Sequence, residues 1–455
     1  MLKELSLTLL AAAAMTAHAQ NPIVQTCYTS DPAPMVHNDR LYVYTGHDEN
    51  GADFFWMQEW RVYSTDDMAN WTDHGSPLAL ESFSWADDRA WAAQTIERNG
   101  KFYWYICAHS KISGGMAIGV AVGDSPTGPF RDALGKPLFE NGSWDHIDPS
   151  VFIDDDGRAY LFWGNKGLWY GELNDDMISF KNGYQEVPGF HDPECFGPQS
   201  MKMNWAKGKE ELMVGFEEGP WISKRGDLYY LTYPAGGVPE HMAYSTAPTV
   251  NGPWTYRGRI MDEAVNSFTI HGGEVTYKGH SYMFYHNGKL PNGAGFHRSA
   301  AVEEFKYNPD GTIPFIPFTE NGPAPVGTLN PYERVEAETM AHSWGLKTDR
   351  LPGKDHYVRK IDNGDWIKIR EVEFGTEGPK QVTVKTLNFK NPGTVEFYLN
   401  ALSDAPFATV KVDGTADEQT VEVRSRRPVT GKHDVYILFR GGDEELFDFD
   451  WWQMK

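Results

Sequence analysis

One short pattern of polar and apolar positions recurs along the first part of the chain. A turn that contains Gly, Asn or Asp is followed by a strand in which aromatic and other apolar side chains alternate. Such a turn between alternating runs is a strong signal for a β-hairpin. The five copies are residues 38–44, 99–105, 156–162, 225–231 and 278–284. Five such sheet-forming units that close on themselves predict an all-β domain, a five-bladed β-propeller with few helices.

The residues upstream of these hairpins form a second regularity. Eight positions before one turn residue of each hairpin stands a carboxylate, an indole or an imidazole. Because equivalent strands of all blades surround the propeller axis, their first residues meet at one mouth of the channel. The five residues are Asp31, Trp91, Asp148, Glu218 and His271. Glu217 is a rival for Glu218, since neighbours in an extended strand face opposite sides and only one can enter the pocket.

Each of these residues also has a purely structural explanation. An Asp-Pro pair often starts a turn, a Glu before Gly-Pro is commonly a solvated loop end, and single Trp and His residues are commonly buried. Their coincidence at one register of the repeat favours a shared site. Three converging carboxylates, without a serine or cysteine triad, are typical of acid–base hydrolysis of a glycosidic bond. A neighbouring carboxylate helps to keep the acid protonated, because adjacent like charges disfavour ionisation.

The pattern changes after Phe318. Gly, Pro and Asn are frequent over residues 321–331, which is typical of a linker. Short alternating runs follow, for example at residues 381–385 and 420–423. We therefore predict a β-sandwich over residues 332–455. Residues 20–320 remain for the propeller.

Composition and charge narrow the class of protein. The chain has 455 residues, a formal charge of −22, and 16 Trp, 22 Tyr and 25 Phe, more aromatic residues than a core alone needs. The acidic balance argues against a nucleic-acid partner, because that affinity comes mainly from Lys and Arg on phosphates. The three cysteines fit neither a disulfide framework nor a zinc site, so buried thiols are expected at Cys27, Cys107 and Cys195.

The N-terminus indicates export. Residues 1–19 combine a basic start, a short apolar run and the small-x-small sequence Ala17-His18-Ala19, which is typical of a secretory signal peptide. No later segment is long and apolar enough to span a bilayer, and we expect no membrane span. We expect a periplasmic or secreted protein, acting as a monomer.

Residues from about 25 to 320 resemble glycoside hydrolase family 43, five-bladed propeller enzymes that act on arabinose- and xylose-containing polysaccharides. The resemblance implies that Asp31 is the general base, Glu218 the general acid, and Asp148 the group that tunes and orients the acid. It implies inversion of the anomeric centre, no organic cofactor, and working carboxyls about 6.5–9.5 Å apart with a water between them. The matching segments are residues 30–32, 91–93, 147–152, 218–221 and 284–286.

The same resemblance implies three substrate-binding residues. Trp91 supplies an aromatic wall for a sugar ring. The central histidine of the family corresponds to His271, which lies beside an axial water or calcium ion in such enzymes. The pocket arginine corresponds to Arg298, within residues 296–299.

Residues 332–455 resemble carbohydrate-binding module family 6, through residues 336–338, 363–367, 431–436 and 449–452. The resemblance implies a structural calcium ion held by Glu336, Glu338 and Asp450, which offer the oxygen ligands that calcium prefers. Aromatic residues that usually bind sugar in this family are missing, since Lys360 and Ile361 occupy one such place and residues 414–417 contain no Trp. A bracing role and a sugar-binding role are both open.

The resemblance implies a hemicellulose poly- or oligosaccharide as the substrate. Our first choice is removal of α-L-arabinofuranosyl groups from arabinoxylan. The alternative is a β-xylosidase that acts on xylo-oligosaccharides, because both activities occur in the family with the same three carboxylates. A hypothesis of another class is a propeller that binds sugar without turnover. It is disfavoured because a binder has no need of an acid, a base and a tuning carboxylate together.

Overall fold

The computed structural model of the chain describes residues 20–204, 208–350, 356–414, 416 and 418–455. The predicted signal peptide, residues 1–19, lies outside them. Two compact units divide the described residues. Unit A comprises Tyr28–Val62 and Ser76–Phe318, and unit B comprises residues 20–27, Tyr63–Gly75 and Thr319–Lys455.

The described chain is all-β, which confirms the fold class predicted from its alternating pattern. Its helical structure there is one four-residue helix, α1 (Pro193–Phe196), and one 3₁₀ turn, Leu80–Ser82. The first strands are β1 (Ser30–His37), β2 (Arg40–Gly46), β3 (Glu59–Thr65), β4 (Trp71–Asp73), β5 (Leu78–Ala79), β6 (Ala86–Asp88), β7 (Ala93–Arg98), β8 (Lys101–Ser110), β9 (Met116–Gly123), β10 (Phe130–Asp132), β11 (Phe139–Glu140) and β12 (Ser150–Ile153). The next are β13 (Ala159–Trp163), β14 (Trp169–Leu173), β15 (Gln185–Glu186), β16 (Ser200–Asn204), β17 (Lys209–Met213), β18 (Trp221–Arg225), β19 (Leu228–Ala235), β20 (His241–Ala247), β21 (Thr255–Met261), β22 (Glu274–Tyr277), β23 (His280–Asn287) and β24 (Ser299–Phe305). The last are β25 (Val335–Glu336), β26 (Thr339–Met340), β27 (His342–Trp344), β28 (Lys347–Arg350), β29 (His356–Arg359), β30 (Trp366–Glu373), β31 (Gln381–Leu387), β32 (Gly393–Leu399), β33 (Ala408–Val412), β34 (Glu418–Arg424), β35 (Lys432–Gly441) and β36 (Asp448–Met454).

Unit A contains five antiparallel sheets that follow one another in chain order. They are sheet 1 (β1–β2–β3, with β5 beside β3), sheet 2 (β6–β11), sheet 3 (β12–β15), sheet 4 (β18–β21) and sheet 5 (β22–β24), with β16–β17 as a separate hairpin. All five hairpins predicted from the turn pattern are present, as β1–β2, β7–β8, β12–β13, β18–β19 and β22–β23.

The hydrophobic clusters of unit A each join side chains of successive sheets. One cluster joins sheets 1 and 2, another sheets 2 and 3, another sheets 3 and 4, and another sheets 4 and 5. Their large members include Trp60, Trp104, Trp163 and Tyr233, all of them fully buried. The wide gaps between twisted sheets are therefore filled by aromatic rings, which accounts for much of the aromatic surplus.

The first and last sheets of unit A are also joined. The Thr29 N–H, just before β1, donates to the Arg298 carbonyl at 2.9 Å, and the Ala300 N–H in β24 donates to the Thr29 hydroxyl at 3.0 Å. These bonds bring the beginning of sheet 1 against sheet 5. The same pair of sheets supplies much of the candidate site described below.

Unit B has two antiparallel sheets around a single core. One runs β27–β30–β35–β32–β33, and the other runs β28–β29–β36–β31–β34 with β25 beside β36. Alternate residues of both sheets share one hydrophobic cluster, for example Ile367 and Phe397 from the first sheet with Val384 and Trp452 from the second. Trp366 is also buried, while Trp451 is half-buried under Arg334.

Residues 20–27 and 63–75 were assigned by sequence to the first domain, yet their contacts group them with unit B. The Thr72 hydroxyl lies 2.8 Å from that of Thr339, and Asn70 exchanges hydrogen bonds with the backbone of Arg370. Lys347 donates to the carbonyl of Thr26. These polar contacts join residues about 300 positions apart in sequence, which a local pattern does not reveal.

All three cysteines are free thiols, and only Cys107 is fully buried. Cys27 and Cys195 are half-buried, so the prediction of buried thiols holds for one of the three. Among the described residues, we find no helix with the length and apolar character needed to cross a bilayer.

Candidate active site

Asp31 and Asp148 share an unusual backbone conformation at the start of two sheets. Both stand directly before a proline and have positive φ angles, 49° and 59°. A residue before proline normally prefers an extended backbone, and positive φ is uncommon outside Gly, although Asp and Asn tolerate it best. Such strain costs about 1–3 kcal/mol and is retained where the surroundings enforce it. The Asp-Pro signals in the sequence therefore mark two equivalent strained corners, both with buried carboxylates.

Asp31 lies among cationic and imidazole groups. Its Oδ1 is 3.3 Å from Arg298 Nη1 and 3.4 Å from His271 Nδ1. Burial alone would raise the pKa of Asp31, but the Arg298 charge and the neighbouring histidines hold it well below its usual value. Asp31 is therefore ionised throughout the physiological pH range.

Arg298 is fixed by a second carboxylate that the sequence reading missed. Its Nε and Nη2 donate to the two oxygens of Asp48 at 3.0 and 2.8 Å, a bidentate pair, and the Arg298 N–H donates to the same carboxylate at 2.7 Å. The guanidinium also lies 4.7 Å from the ring centroid of Phe55. Because both partners are buried, this arrangement sets the direction of the Nη1 group towards Asp31.

His286 supports Asp31 from the other side. Nδ1 of His286 lies 3.2 Å from both the backbone nitrogen and the Oδ1 of Asp31, and Nε2 lies 3.0 Å from the Thr269 hydroxyl. Burial lowers the pKa of His286, so the ring is neutral. His286 therefore contacts both the backbone and the carboxylate of Asp31 without adding a charge to the site.

Glu217 and Glu218 face opposite sides, as expected of neighbours in an extended segment. Glu217 is buried, with its two oxygens 3.0 Å from Lys166 Nζ and 2.9 Å from Lys202 Nζ. Glu218 is partly exposed, and its Oε2 accepts a 2.6 Å hydrogen bond from the Asn165 amide. Glu217 therefore belongs to an internal ion pair, and Glu218 is the glutamate that lies in the candidate site.

Asp148 and Glu218 are neighbours through Gly219. The Gly219 N–H donates to Asp148 Oδ2 at 3.1 Å, which places the two carboxyls in one electrostatic environment. Burial first, and the charge of Glu218 second, raise the pKa of Asp148 well above its usual value. Burial also raises the pKa of Glu218. The pair therefore retains a proton at a pH at which Asp31 has lost its own.

His271 lies between Asp31 and the Asp148–Glu218 pair. Burial alone would lower its pKa, but the hydrogen bond to Asp31 and the charges of Asp148 and Glu218 raise the pKa of His271 to about 9. The ring lies against Gly219, where an added Cβ would come within 2.8 Å of Nε2. A positively charged imidazole is thus enclosed by the three carboxylates.

Trp91 lies in an aromatic wall rather than in contact with the carboxylates. Its indole N–H donates to the Phe55 carbonyl at 2.9 Å, and its ring packs against Phe54 and Phe55 with centroids 6.5 and 6.0 Å apart. Phe296 meets both phenylalanines. Phe55 also packs against the Arg298 guanidinium, so the aromatic wall adjoins the site. Trp91 is connected to the site through its contact with Phe55.

A small space lies beside Asp31 and His271. It has a volume of about 10 Å³ and is also lined by Gln94 and Gly272. This is roughly the minimum that holds one water molecule. In the part of the chain that the structure describes, no three His, Cys, Asp or Glu side chains form a metal-binding group.

The predicted calcium ligands Glu336, Glu338 and Asp450 all belong to unit B, and the charges of Glu336 and Asp450 act on Glu338. Glu338 is buried, and its Oε2 has no hydrogen-bond partner among the described residues. Burial, followed by the charges of Glu336 and other nearby carboxylates, raises the pKa of Glu338 well above its usual value. Glu336 is 2.7 Å from Arg334, and Asp450 is 3.0 Å from Lys385. The buried unpartnered oxygen fits a hard cation, while two of the three carboxylates already have cationic side chains beside them.

Four supporting residues were missed or left unassigned by the sequence analysis. Asn165 and Asp48 follow the ends of strands and have no special register. His286 lies in β23, beyond the predicted segment 278–284, and belongs to residues 284–286, which carry the family resemblance, but no role was predicted for it. Glu240 is buried, and its Oε2 accepts from the N–H of Ile270, the residue before His271. The one sequence signal near Glu240 is the preceding residue, Pro239.

Comparison with known proteins gives the chain two family matches. A model described as "Glycosyl hydrolases family 43" matches residues 19–313, and one described as "Carbohydrate binding module (family 6)" matches residues 336–455. An arabinoxylan arabinofuranohydrolase of Bacillus subtilis is 30% identical, over 95% of this chain and 92% of that protein. Xylosidase/arabinosidase 43A of Humicola insolens is 33% identical, over 64% of this chain and 98% of that protein.

Solved structures agree with these matches. The crystal structure of a family 43 arabinoxylan arabinofuranohydrolase from Bacillus subtilis, in complex with cellotetraose, has a TM-score of 0.80 and 26% identity, and the match covers 96% of this chain and 98% of that one. A family 43 β-xylosidase/α-arabinofuranosidase from a compost metagenome has a TM-score of 0.57 and 30% identity, over 66% of this chain and 97% of its own.

Proposed function

The chain belongs to glycosyl hydrolases family 43, and we propose that it removes α-L-arabinofuranosyl groups from arabinoxylan-type hemicellulose with inversion of the anomeric centre. It is a glycoside hydrolase with a second region that matches a carbohydrate-binding module. The observation that supports the proposal most is the opposite surroundings of the carboxyls: Asp31 lies 3.3 Å from Arg298, which lowers its pKa, whereas Asp148 and Glu218 share a buried region joined by Gly219, where burial raises the pKa of both. Hydrolysis needs such a base and acid together.

In the proposed reaction Asp31 acts as the general base. Its carboxylate accepts a proton from water while the water oxygen bonds to the anomeric carbon. Arg298, directed by Asp48, keeps Asp31 ionised and in place. Inversion requires the base and the acid to lie about 6.5–9.5 Å apart with the sugar and the water between them.

Glu218 acts as the general acid. It donates its proton to the glycosidic oxygen as the bond from that oxygen to the anomeric carbon breaks, so the leaving sugar departs as a neutral alcohol. Asp148 favours the protonated form of its neighbour, because two carboxylates in one buried space do not both ionise readily. The Asn165 amide orients the Glu218 carboxyl.

β-Xylosidase action on xylo-oligosaccharides is the second candidate. Relatives that are named xylosidase/arabinosidase or β-xylosidase match 63–64% of the chain at 30–33% identity, against 30% for the arabinoxylan arabinofuranohydrolase of Bacillus subtilis. Initial rates of 4-nitrophenol release from the aryl α-L-arabinofuranoside and the aryl β-xyloside separate the two. On arabinoxylan, the identity and first-formed anomer of the released sugar test substrate and inversion together.

Variants test the assigned roles. Glu218→Gln should lower turnover of arabinoxylan by about 10²–10⁴-fold, since only a proton donor is removed. Asp31→Asn should be as damaging, and added azide should restore turnover with an inverted product. Release of a retained sugar, or a Glu218→Gln rate on polysaccharide near that of the parent, would reject the mechanism. Absence of turnover on both aryl glycosides, arabinoxylan and linear arabinan would favour the sugar-binding alternative.

We also propose the finer architecture and the location. Five consecutive sheets, with sheet 1 hydrogen-bonded to the residues beside sheet 5, support a five-bladed propeller in unit A. Two sheets around one core support a β-sandwich of jelly-roll type in unit B. The composition of residues 1–19 supports export to the periplasm or beyond.

For unit B we propose that Glu336, Glu338 and Asp450 hold a structural calcium ion. The unpartnered Oε2 of Glu338 supports this, because a buried carboxylate is costly without a cation or a proton. Calcium chloride should then raise the melting temperature relative to EDTA by about 2–4 °C for each kcal/mol of binding energy. Glu338→Gln should abolish the difference. Equal melting temperatures for the parent chain in calcium and in EDTA would contradict the proposal.

A further inference from the structure

A cavity of about 430 Å³ opens in unit A between sheets 3 and 4. None of the active-site residues described above lines it. Its volume lies in the range of sites that take small molecules, about 300–1,000 Å³. The space beside His271 is far smaller, about 10 Å³.

The register of sheet 3 shows which side chains face the cavity. Tyr160 pairs with Glu172, Phe162 with Tyr170, and Tyr170 in turn with Gln185, so these side chains share the face that packs towards sheet 4. Phe162 belongs to a fully packed aromatic cluster with Phe196, Phe216 and Tyr233. Tyr160, Tyr170 and Tyr229 belong to the same cluster, and each also borders the cavity at its outer edge.

The charged groups that line the cavity are already paired. Asp154 lies 2.7 Å from Lys224 and accepts a 2.6 Å hydrogen bond from the Tyr229 hydroxyl. Arg158 lies 2.7 Å from Asp156, and Glu172 lies 2.8 Å from Lys181. The lining therefore presents no unbalanced charge of either sign, which disfavours an anionic or cationic ligand.

Neutral polar groups and aromatic rings make up most of the remaining lining. Asn182, Gln185, Thr249 and Asn251 supply amide and hydroxyl groups, and Tyr184 at the edge is 40% exposed. Amides donate and accept at once, which suits the hydroxyls of an uncharged sugar. The exposed part of the Tyr184 ring offers apolar surface to its C–H groups. This combination matches carbohydrate chemistry better than that of a lipid or a phosphate.

We propose that this cavity is a second, non-catalytic carbohydrate site that binds an uncharged xylo-oligosaccharide segment of the polysaccharide. The identity of the sugar rests on the proposed function, whereas the site itself rests on the lining. A second contact on the same chain raises the effective concentration of substrate at the carboxylates. Its effect is confined to polymeric substrates, because an aryl glycoside engages only the catalytic centre.

Hydrogen exchange with mass spectrometry locates the site in the full chain. Xylohexaose is the probe, added to the Glu218→Gln variant so that no turnover occurs. Peptides that contain residues 182–185 and 248–251 should exchange more slowly with the sugar present. Tyr184→Ala and Asn251→Ala, each added to Glu218→Gln, should abolish this protection and leave any protection near Glu218 or in unit B unchanged.

Kinetics supply the second measurement, on variants that retain Glu218. Tyr184→Ala and Asn251→Ala should leave kcat/KM on the aryl glycoside unchanged and lower it roughly five- to tenfold on insoluble arabinoxylan. Phe315→Ala is the matched control, because it removes an aromatic ring that is 51% exposed and lies outside the cavity lining. It should behave as the parent chain.

The outcomes separate the two proposals. If neither peptide is protected and both variants keep their polysaccharide rate, the second site is wrong while the glycosidase assignment stands. If the peptides are protected but no substrate is hydrolysed by the parent chain, the site stands and the proposed function fails. Protection by cello-oligosaccharides but not by xylohexaose would overturn the assigned sugar.

Discussion

Asp31 and Asp148 show how neighbours decide the role of a side chain. The two share a positive φ, a following proline and nearly complete burial. Asp31 faces the Arg298 guanidinium, which favours its ionised form, while Asp148 faces Glu218, which disfavours it. Burial beside another carboxylate therefore favours the protonated form of a carboxyl, and burial beside a fixed cation favours its ionised form.

The adjacent glutamates allow a direct test at the residue scale. Glu217→Gln should destabilise the protein by about 3–5 kcal/mol, because it leaves Lys166 and Lys202 without their buried partner. Its kcat on the aryl arabinofuranoside, measured below the unfolding temperature, should stay within a few-fold of the parent. Glu218→Gln should show the reverse, a normal denaturation midpoint and little turnover of arabinoxylan. A kcat loss in both variants of similar size would contradict the separation of roles.

Asp148→Asn tests the tuning role through the pH profile. Asn tolerates the positive φ at this position, so the fold should be retained. Removing the negative charge should lower the pKa of Glu218, because like-charge repulsion is lost. The basic limb of kcat/KM should then move to lower pH by roughly one unit, with a lower maximum.

The control for Asp148→Asn is Asp156→Asn, which changes an exposed carboxylate in the hairpin turn of the same sheet. Its pH profile should coincide with that of the parent. A basic limb that stays in place in Asp148→Asn would show that Asp148 acts only by orienting its neighbour.

At the scale of elements, local sequence signals predicted the hairpins. Site residues whose positions depend on contacts distant in sequence were not predicted. A turn that contains Gly, Asn or Asp, followed by an alternating strand, specifies a hairpin within a few residues, and all five predicted hairpins are present. The residues at the starts of the same strands stand at a fixed distance, eight positions, before a turn residue. This spacing predicted Asp31, Asp148 and Glu218 as site residues. Asp48, Asn165 and Glu240 lie in connections between strands, whose path is set by tertiary packing. The spacing of the sequence pattern therefore does not predict their positions. The calcium ligands came only from the resemblance.

The connection into β18 carries a specific constraint at Gly219. Its φ is +55°, and a Cβ there would stand 2.8 Å from His271 Nε2. Gly219→Ala should therefore lower kcat/KM at least about tenfold, because the imidazole must move away from its position beside Asp31. The positive φ alone should cost about 1–2 kcal/mol of stability. Steady-state kinetics and thermal melts measure the two effects.

Gly226→Ala is the control in the same hairpin. Its φ is +59°, and a Cβ there meets nothing within 4 Å. It should show the same loss of stability and an unchanged kcat/KM. Equal kinetics for the two variants would mean that the contact between Gly219 and His271 does not position the ring.

The molecule as a whole is strongly acidic, and the candidate site buries several of its acidic groups. The formal charge is −22, yet Asp148, Glu218 and Glu240 are gathered in one region of unit A. Burial raises the pKa of Glu240 well above its usual value, and the charges of Glu218 and Glu217 add to this. Folding therefore favours the protonated form of these carboxyls, and the stability of the enzyme depends on pH.

The sign of that dependence follows from linkage. A carboxyl whose pKa is raised on folding contributes its full stability below its unfolded pKa and loses it as the pH rises through the folded value. Asp31 works in the opposite direction, since its lowered pKa gives stability that is lost only as the pH falls. The free energy of unfolding should thus be greatest at mildly acidic pH and decline towards alkaline pH.

Glu240→Gln isolates one contribution to this decline. The amide oxygen still accepts the Ile270 N–H, but the group does not ionise, so the fall in unfolding free energy between pH 5 and pH 8 should be smaller than in the parent. Each pKa unit removed corresponds to about 1.4 kcal/mol. Urea midpoints at the two pH values measure the difference, with Glu81→Gln, an exposed glutamate, as the control. If the parent and Glu240→Gln decline in parallel, Glu240 is not held protonated in the folded enzyme, and the alkaline loss arises from the other groups whose pKa is raised, among them Asp148, Glu218, His271 and Glu338.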